Sequence, residues 1–230
     1  MNDGSVKLLS ISQLKCSIAS FLCQRLILLT KHKSKLCNIE AHCLLIKVFE
    51  RVCIHHNLID SSAFSSMYKD LLRQSELSCK IKSLMSLLDE IKQRNEKVLI
   101  FATSKVVQSL VSALVTYKYK LTVNTVNGDT KAISTTASDE SRKGIIDEFQ
   151  KASGFGVLVM SPVAAGVGLT ITGANNVIHL ERHWNPAKEA QATDRVYRIG
   201  QTKQVNVYIP IATHSTQKSF DVQLSQLLGN

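Results

Sequence analysis

From Ser161 to Gln201 the chain reads SPVAAGVGLTITGANNVIHLERHWNPAKEAQATDRVYRIGQ. A small-residue loop containing Gly166 and Gly168 follows an apolar strand and leads to a second apolar run, residues 176 to 180. Asn185 then supplies a helix cap, with Pro186 in the first turn, where its missing N–H costs nothing. Strand, glycine loop, strand and helix in that order indicate a parallel sheet with its working residues at the carboxyl ends of the strands. If residues 186 to 197 are helical, Arg195 and Arg198 lie on one face at i and i+3. Two guanidinium groups can then point at one anionic target such as a phosphate chain.

Outward from this stretch the alternation continues. Apolar positions Ile81, Leu84, Leu88 and Ile91 define an amphipathic helix over residues 77–91, followed by a strand over 98–102. Helix 105–116, strand 121–126, helix 139–150, strand 156–161, strand 176–180, helix 186–197 and strand 204–211 complete the pattern. A last helix, 216–228, starts after Ser215 as its cap and is expected to pack back on the lobe. The fold class is therefore α/β, a mostly parallel central sheet flanked by helices over residues 77–230. Residues 8–29 and 39–55 carry apolar residues at helical spacing, so residues 1–76 read as a helical extension.

Composition bounds the partners. The chain has 230 residues, 44% of them hydrophobic, enough for one substantial core with an appendage and too few for two complete nucleotide-binding lobes. A formal net charge of +10 favours a polyanionic partner. The apolar run from Cys16 to Leu29 is interrupted by Gln24 and Arg25 and is too short for a membrane span, and the amino terminus lacks the basic start of a secretory signal. All six cysteines fall in the first 79 residues without a C-x-x-C pair, which points to reduced thiols and an intracellular protein. Cys37, Cys43 and Cys53 with His42, His55 and His56 match no standard zinc spacing, so no metal site is expected.

Several blocks together resemble one family. Lys97–Ser104 (KVLIFATS), Val126–Thr130 (VNGDT) with Arg142 and Phe149, Ser161–Leu169, Trp184-Asn185-Pro186 and Gln191–Gln201 resemble, in order, motifs IV to VI of superfamily 2 helicase-like ATPases. The Asp194-Arg195 pair and the closing Arg-Ile-Gly-Gln resemble the SWI/SNF family of DNA translocases, and the resemblance runs over about residues 78 to 211. It implies a RecA-like C-terminal motor lobe. No G-x-x-x-x-G-K-[ST] loop occurs and no acidic pair follows an apolar strand, so the nest that holds the β and γ phosphates with magnesium belongs to another lobe. Alone, such a chain is expected not to hydrolyse ATP. The expected partners are duplex DNA and an N-terminal RecA-like lobe, with ATP and Mg²⁺ as cofactors of the complete two-lobe enzyme. The expected location is the cytoplasm (nucleoid-associated) of a bacterium or the nucleus of a eukaryote.

The resemblance also assigns residues. Arg195 and Arg198 are implied as arginine fingers reaching the γ-phosphate, Arg198 foremost. Gln191, Asp194, Gly166 and Gly168 are implied at the nucleotide cleft. Where the family usually has two adjacent glycines, this chain has Ala165-Gly166. Thr103, Ser104, Lys105, Gly128, Thr130, Ser161 and Trp184 are implied at the DNA backbone, where hydroxyls and N–H groups grip phosphates without reading bases. Blander readings stand beside these. An arginine could pair internally with Asp194, Glu189 or Glu181, and Trp184 is expected to brace the arginine helix more than to touch DNA. His179 and His183 are expected to be core or loop histidines. The alternative is a stand-alone nucleic-acid or protein binding platform without ATP turnover, which has no physical need for both arginines; an RNA helicase lobe would use a related arginine segment.

Overall fold

The structure is a computed structural model and describes residues 6–11, 78–130, 141–165, 168–213 and 218–228. Six strands form one sheet, β1 (Val6–Ile11), β2 (Lys97–Phe101), β3 (Asn124–Val126), β4 (Gly156–Met160), β5 (Asn176–His179) and β6 (Asn206–Ala212), in the order β1-β6-β5-β2-β4-β3. The pairs β2/β4, β2/β5, β3/β4 and β5/β6 are all parallel. The helices are α1 (Cys79–Gln93), α2 (Lys105–Tyr119), α3 (Arg142–Lys151), the short α4 (Pro162–Ala165), α5 (Pro186–Thr193) and α6 (Phe220–Leu227).

The central strands read as continuous apolar runs because helices cover both faces. Every residue of β2 is buried, and Leu99, Phe101, Leu158, Met160 and Val177 share one core cluster with Ile145, Ile146 and Phe149 of α3. α1 buries Ile81, Leu84, Leu88 and Ile91 completely, the stripe that its periodicity predicts. Lys97 opens β2 with a buried ammonium that donates to the carbonyls of Phe149 at 2.7 Å and Gln150 at 2.9 Å, holding the end of α3. Burial pushes its pKa down, helped by Lys203.

Three expectations are revised and one lies outside the described residues. The helix over 186–197 stops at Thr193, closed by the Asp194 N–H donating to Ala190, because residues 194–196 continue as tight turns in which the Arg195 N–H donates to Ala192 and the Val196 N–H donates to Thr193. The last helix starts at Phe220 with Ser219 as its cap, Ser219 accepting from Val222 N–H and donating to the Ala212 carbonyl; Ser215 lies outside the described residues. Val6–Ile11 is a strand where helical spacing is read from residue 8. The rest of the expected helical extension up to residue 77, with the Cys and His residues weighed for zinc, also lies outside the described residues.

The chain divides into two compact units, residues 1–9 with 84–210 and residues 10–83 with 211–230. The last helix, expected to pack on the lobe, is thereby grouped with the second unit. There a buried ion pair joins Lys80 to Asp221 at 2.7 Å, and Asp221 also accepts the Ala212 N–H at 3.0 Å.

Topology sets where the working edge lies. From β2 the chain connects towards the β4/β3 side, whereas from β5 it connects towards β6, so the connections diverge between adjacent strands β2 and β5. The crevice outside the carboxyl ends of strands at such a switch point is the usual ligand position of an open α/β sheet. The loops leaving β2, β3, β4 and β5 there carry most of the residues assigned above.

Candidate nucleotide and nucleic-acid edge

Adjacent strand ends are stitched together by backbone bonds that run past the strands. Ala102 N–H donates to Met160 O at 3.0 Å, Ser161 N–H to Val126 O at 2.9 Å, and Leu180 N–H to Phe101 O at 3.0 Å. Gln108, on the first turns of α2 and 1% exposed, donates to Ala102 O at 2.8 Å and accepts from the Asn127 side chain at 3.2 Å. A buried glutamine on an otherwise apolar helix face therefore fixes the β2 and β3 loops to one another. Its polar identity at a core position was the available signal, and the sequence reading passed over it.

The candidate DNA-facing residues fall on these loops. Thr103 and Lys105 are exposed, Ser104 is half-buried, and Ser104 caps α2 through its backbone alone, since its hydroxyl makes no capping bond. The Ser104 N–H donates to Glu181 Oε2 at 2.7 Å and the Thr103 hydroxyl donates to the same oxygen at 3.1 Å. Lys105 pairs with Asp129 at 2.6 Å, a contact in which both side chains are more than half exposed and which salt and solvent weaken. Gly128 is exposed with open space where a Cβ would stand. Thr130 folds its hydroxyl inward onto Thr125 O at 3.3 Å. Arg142 grips this loop from α3, donating to Thr130 O at 2.7 Å. Ser161 is half-buried at the end of β4.

Trp184 is 60% exposed. An ion pair ties α5 to the segment that precedes it. Arg182, 6% exposed, meets Glu189 of α5 at 2.7 Å and 3.2 Å, and Glu189 also accepts the His183 N–H at 3.1 Å. Glu189 is thus committed to Arg182. The cap of α5 is as expected, with Asn185 accepting from Ala187 N–H at 3.0 Å.

His179 is a core histidine, as expected. It is 1% exposed, stacks on Phe101 with ring centroids 5.1 Å apart, and places Nε2 2.8 Å from Thr193 Oγ1. Thr193 donates its own hydrogen to Glu189 O at 3.2 Å, so Nε2 is the donor and the ring is the neutral Nε2–H tautomer. Burial pushes its pKa down to about 4, with Glu189 opposing and Arg182 assisting. His183 is half-buried and shifted down by burial and by Lys188.

Beyond α5 the chain turns back across the loop that follows α4. Ile171 N–H donates to Arg195 O at 2.9 Å, and Arg198 Nη1 donates to Thr170 Oγ1 at 2.9 Å. The Gln201 side chain donates to Thr172 O at 3.1 Å and Ala174 O at 2.7 Å. Val196 is fully buried beside Arg195, whereas Tyr197 and Ile199, on either side of Arg198, are exposed. Gly200 has φ +102°, a backbone that side-chain-bearing residues rarely adopt. Arg195 is half-buried, while Arg198, Gln191, Asp194 and Gly168 are exposed. Gly168 sits at φ +60°. Gly166 lies outside the described residues. The structure thus brings the arginine turn against residues 170–174, by turns and a glutamine staple rather than by one helix face.

The pattern matches a known domain: the description Helicase conserved C-terminal domain fits residues 79–200. This chain belongs to the helicase conserved C-terminal domain family. The relatives and solved structures that it resembles include SWI2/SNF2 ATPases. The helicase lobe is 43% identical over 152 residues to the Zorya protein ZorD of Escherichia coli O139:H28 (strain E24377A / ETEC), covering 66% of this chain and 14% of that protein. It is 36% identical over 147 residues to the putative ATP-dependent helicase/translocase YwqA of Bacillus subtilis (strain 168), covering 64% of this chain and 15% of that one. The chain therefore spans about one-seventh of the length of these relatives. Among solved structures, the helicase lobe is similar to the C-terminal domain of the Sulfolobus solfataricus SWI2/SNF2 ATPase, with a TM-score of 0.70, 20% identity, 98% of this chain and 85% of that one covered. It is also similar to the ATPase core of that enzyme in complex with dsDNA, with a TM-score of 0.65 and 26% identity over 90% of this chain and 40% of that one.

Proposed function

We propose that this lobe is the second half of a DNA-stimulated ATP-dependent duplex-DNA translocase, presenting Arg198, with Arg195 behind it, to the γ-phosphate of an ATP held on an N-terminal lobe. The observation that carries this reading is the arginine turn itself. An exposed guanidinium is held by Thr170 on a segment pinned through Arg195 O and Gln201, so its geometry is set before any ligand arrives. Such preorganisation lets a fixed charge stabilise a transferring phosphoryl group without reorganisation at the moment of reaction. Ile199, fully exposed beside Arg198, and Tyr197 give that turn an apolar rim suited to a facing protein surface.

The donor chemistry fits the outer side of a nucleotide and not its metal. Among the described residues no group of three His, Cys, Asp or Glu could hold a cation. With no G-x-x-x-x-G-K-[ST] loop in this sequence, Mg²⁺ and the β-phosphate would sit on the other lobe, and the magnesium-bound nucleotide would supply the bond to be cleaved. Gln191, Asp194 and Gly168 line the arginine side of the cleft. Thr103, Ser104, Lys105, Gly128, Thr130, Ser161 and Trp184 face the DNA backbone, in keeping with the dsDNA complex of the similar Sulfolobus core. Contacts to phosphates rather than base edges suit a motor that steps along any sequence.

The test is ATP turnover by the complete two-lobe protein, with and without duplex DNA and with duplex RNA. Turnover raised by DNA, not by RNA, and lost in Arg198→Ala is the expected result. Stimulation by RNA alone, or turnover indifferent to Arg198, overturns the reading.

A further inference from the structure

Glu181 is the first residue beyond β5 to turn towards the switch-point crevice, and it is 3% exposed. Its Oε2 accepts both the Ser104 N–H at 2.7 Å and the Thr103 hydroxyl at 3.1 Å, so one carboxylate oxygen spans the gap between the diverging β2 and β5 loops. Its own N–H sits near the Phe101 carbonyl at 3.4 Å, beside the Leu180 N–H that donates to the same carbonyl. A carboxylate withdrawn from water is costly unless its acceptors are filled, and charge-assisted bonds such as the one to Ser104 N–H are among the stronger ones. The residue therefore fixes the entry to α2 against the segment that leads to Trp184 and α5.

That placement has a functional consequence. Thr103, Ser104 and Lys105 on one side and Trp184 on the other are proposed DNA contacts near the crevice, and the Glu181 side chain ties the first group to the segment that carries the second. We propose that Glu181 is a positioning residue for duplex DNA: by occupying the Ser104 N–H and the Thr103 hydroxyl it holds the 103–105 turn at the height and angle at which the Ser104 hydroxyl and Lys105 meet the backbone, and it touches neither DNA nor nucleotide. This inference rests on the proposed function above. The opposite sign is the natural alternative. A negative charge close to a phosphate track would by simple Coulomb repulsion weaken DNA binding, and its removal would tighten it.

The experiment measures the duplex-DNA concentration that half-saturates ATP turnover, and the turnover at saturation, in the complete two-lobe protein carrying Glu181, Glu181→Gln or Glu181→Ala, with melting temperature as the check on folding. Glutamine keeps an acceptor for Ser104 and Thr103 without the charge; alanine keeps neither. The expected result is a half-saturating concentration raised about tenfold in Glu181→Ala and by less than about threefold in Glu181→Gln, with maximal turnover changed much less than the half-saturation value. A folded Glu181→Ala that binds DNA as tightly as the parent or more tightly overturns the inference. If Glu181→Ala does not fold, Glu181→Gln decides alone: DNA binding tighter than the parent's overturns the inference, and binding equal or modestly weaker supports it. A parent protein whose turnover ignores DNA overturns the proposed function itself, and this inference with it.

Discussion

Arg198 Nη1 donates to Thr170 Oγ1 at 2.9 Å, joining the exposed end of the arginine turn to the loop that follows α4. Threonine fixes a side chain that would otherwise sample many rotamers. In the complete enzyme, Arg198→Ala is expected to lower kcat on the order of a thousandfold or more, as loss of an arginine finger does. Thr170→Val keeps shape and removes the acceptor, and is expected to lower kcat by about fivefold, the worth of one net hydrogen bond. Steady-state kinetics at saturating DNA and ATP check both.

His179 is buried neutral with its pKa pushed down to about 4, against an ordinary value near 6.5. Between those two values the unfolded chain binds a proton that the folded chain refuses, so stability is full above pH 6.5 and falls as the pH drops towards 4. The loss reaches on the order of 3 kcal/mol at the acid end. Urea unfolding from pH 7.5 to 4.5 measures it. His179→Gln, which can still donate to Thr193, is expected to flatten that dependence.

Arg182 and Glu189 form a buried pair, at 6% and 7% exposure. Glu189→Ala leaves a buried guanidinium and the His183 N–H without this acceptor, and is expected to cost about 3–5 kcal/mol in denaturant unfolding. Arg182→Met combined with Glu189→Leu is expected to recover most of that loss, because the price of burying one charge alone is then removed.

Gly128 has open space at the Cβ position and no positive φ, so Gly128→Ala is expected to leave stability within about 0.5 kcal/mol of the parent. A phosphate brought close to that backbone meets the added methyl. The half-saturating duplex-DNA concentration is expected to rise about threefold or more, with a melting temperature that does not move.

Much of this lobe was legible in its sequence. Apolar strands flanked by amphipathic helices gave β2 to β6 and α1 to α3 within a few residues, since a parallel sheet covered on both faces leaves a period-free apolar signal. Asn185-Pro186 marked the start of α5 because cap and first turn are local chemistry. What stayed hidden was set by contacts between distant segments. Gln201 lies only three residues beyond Arg198, yet its partners are the carbonyls of Thr172 and Ala174, and no local pattern announces that α5 ends at Thr193 to let it reach them. The commitment of Glu189 to Arg182 and of Glu181 to Ser104 was equally invisible, because an acidic residue in a sequence does not say which donor it will find. Trp184 stands 60% exposed, while the Arg182–Glu189 pair that ties α5 to the preceding segment was not foreseen.

The central claim is that the arginine turn completes an ATP site whose phosphate cradle lies on another lobe. The most direct test is ATP turnover by this 230-residue chain with saturating duplex DNA, alone and after addition of the N-terminal lobe, for the parent and Arg198→Ala. The account predicts no turnover by the chain alone, turnover on adding the lobe, and none again with Arg198→Ala. DNA-stimulated turnover by the isolated chain that vanishes in Arg198→Ala would contradict it, because the chain would then complete a nucleotide site by itself.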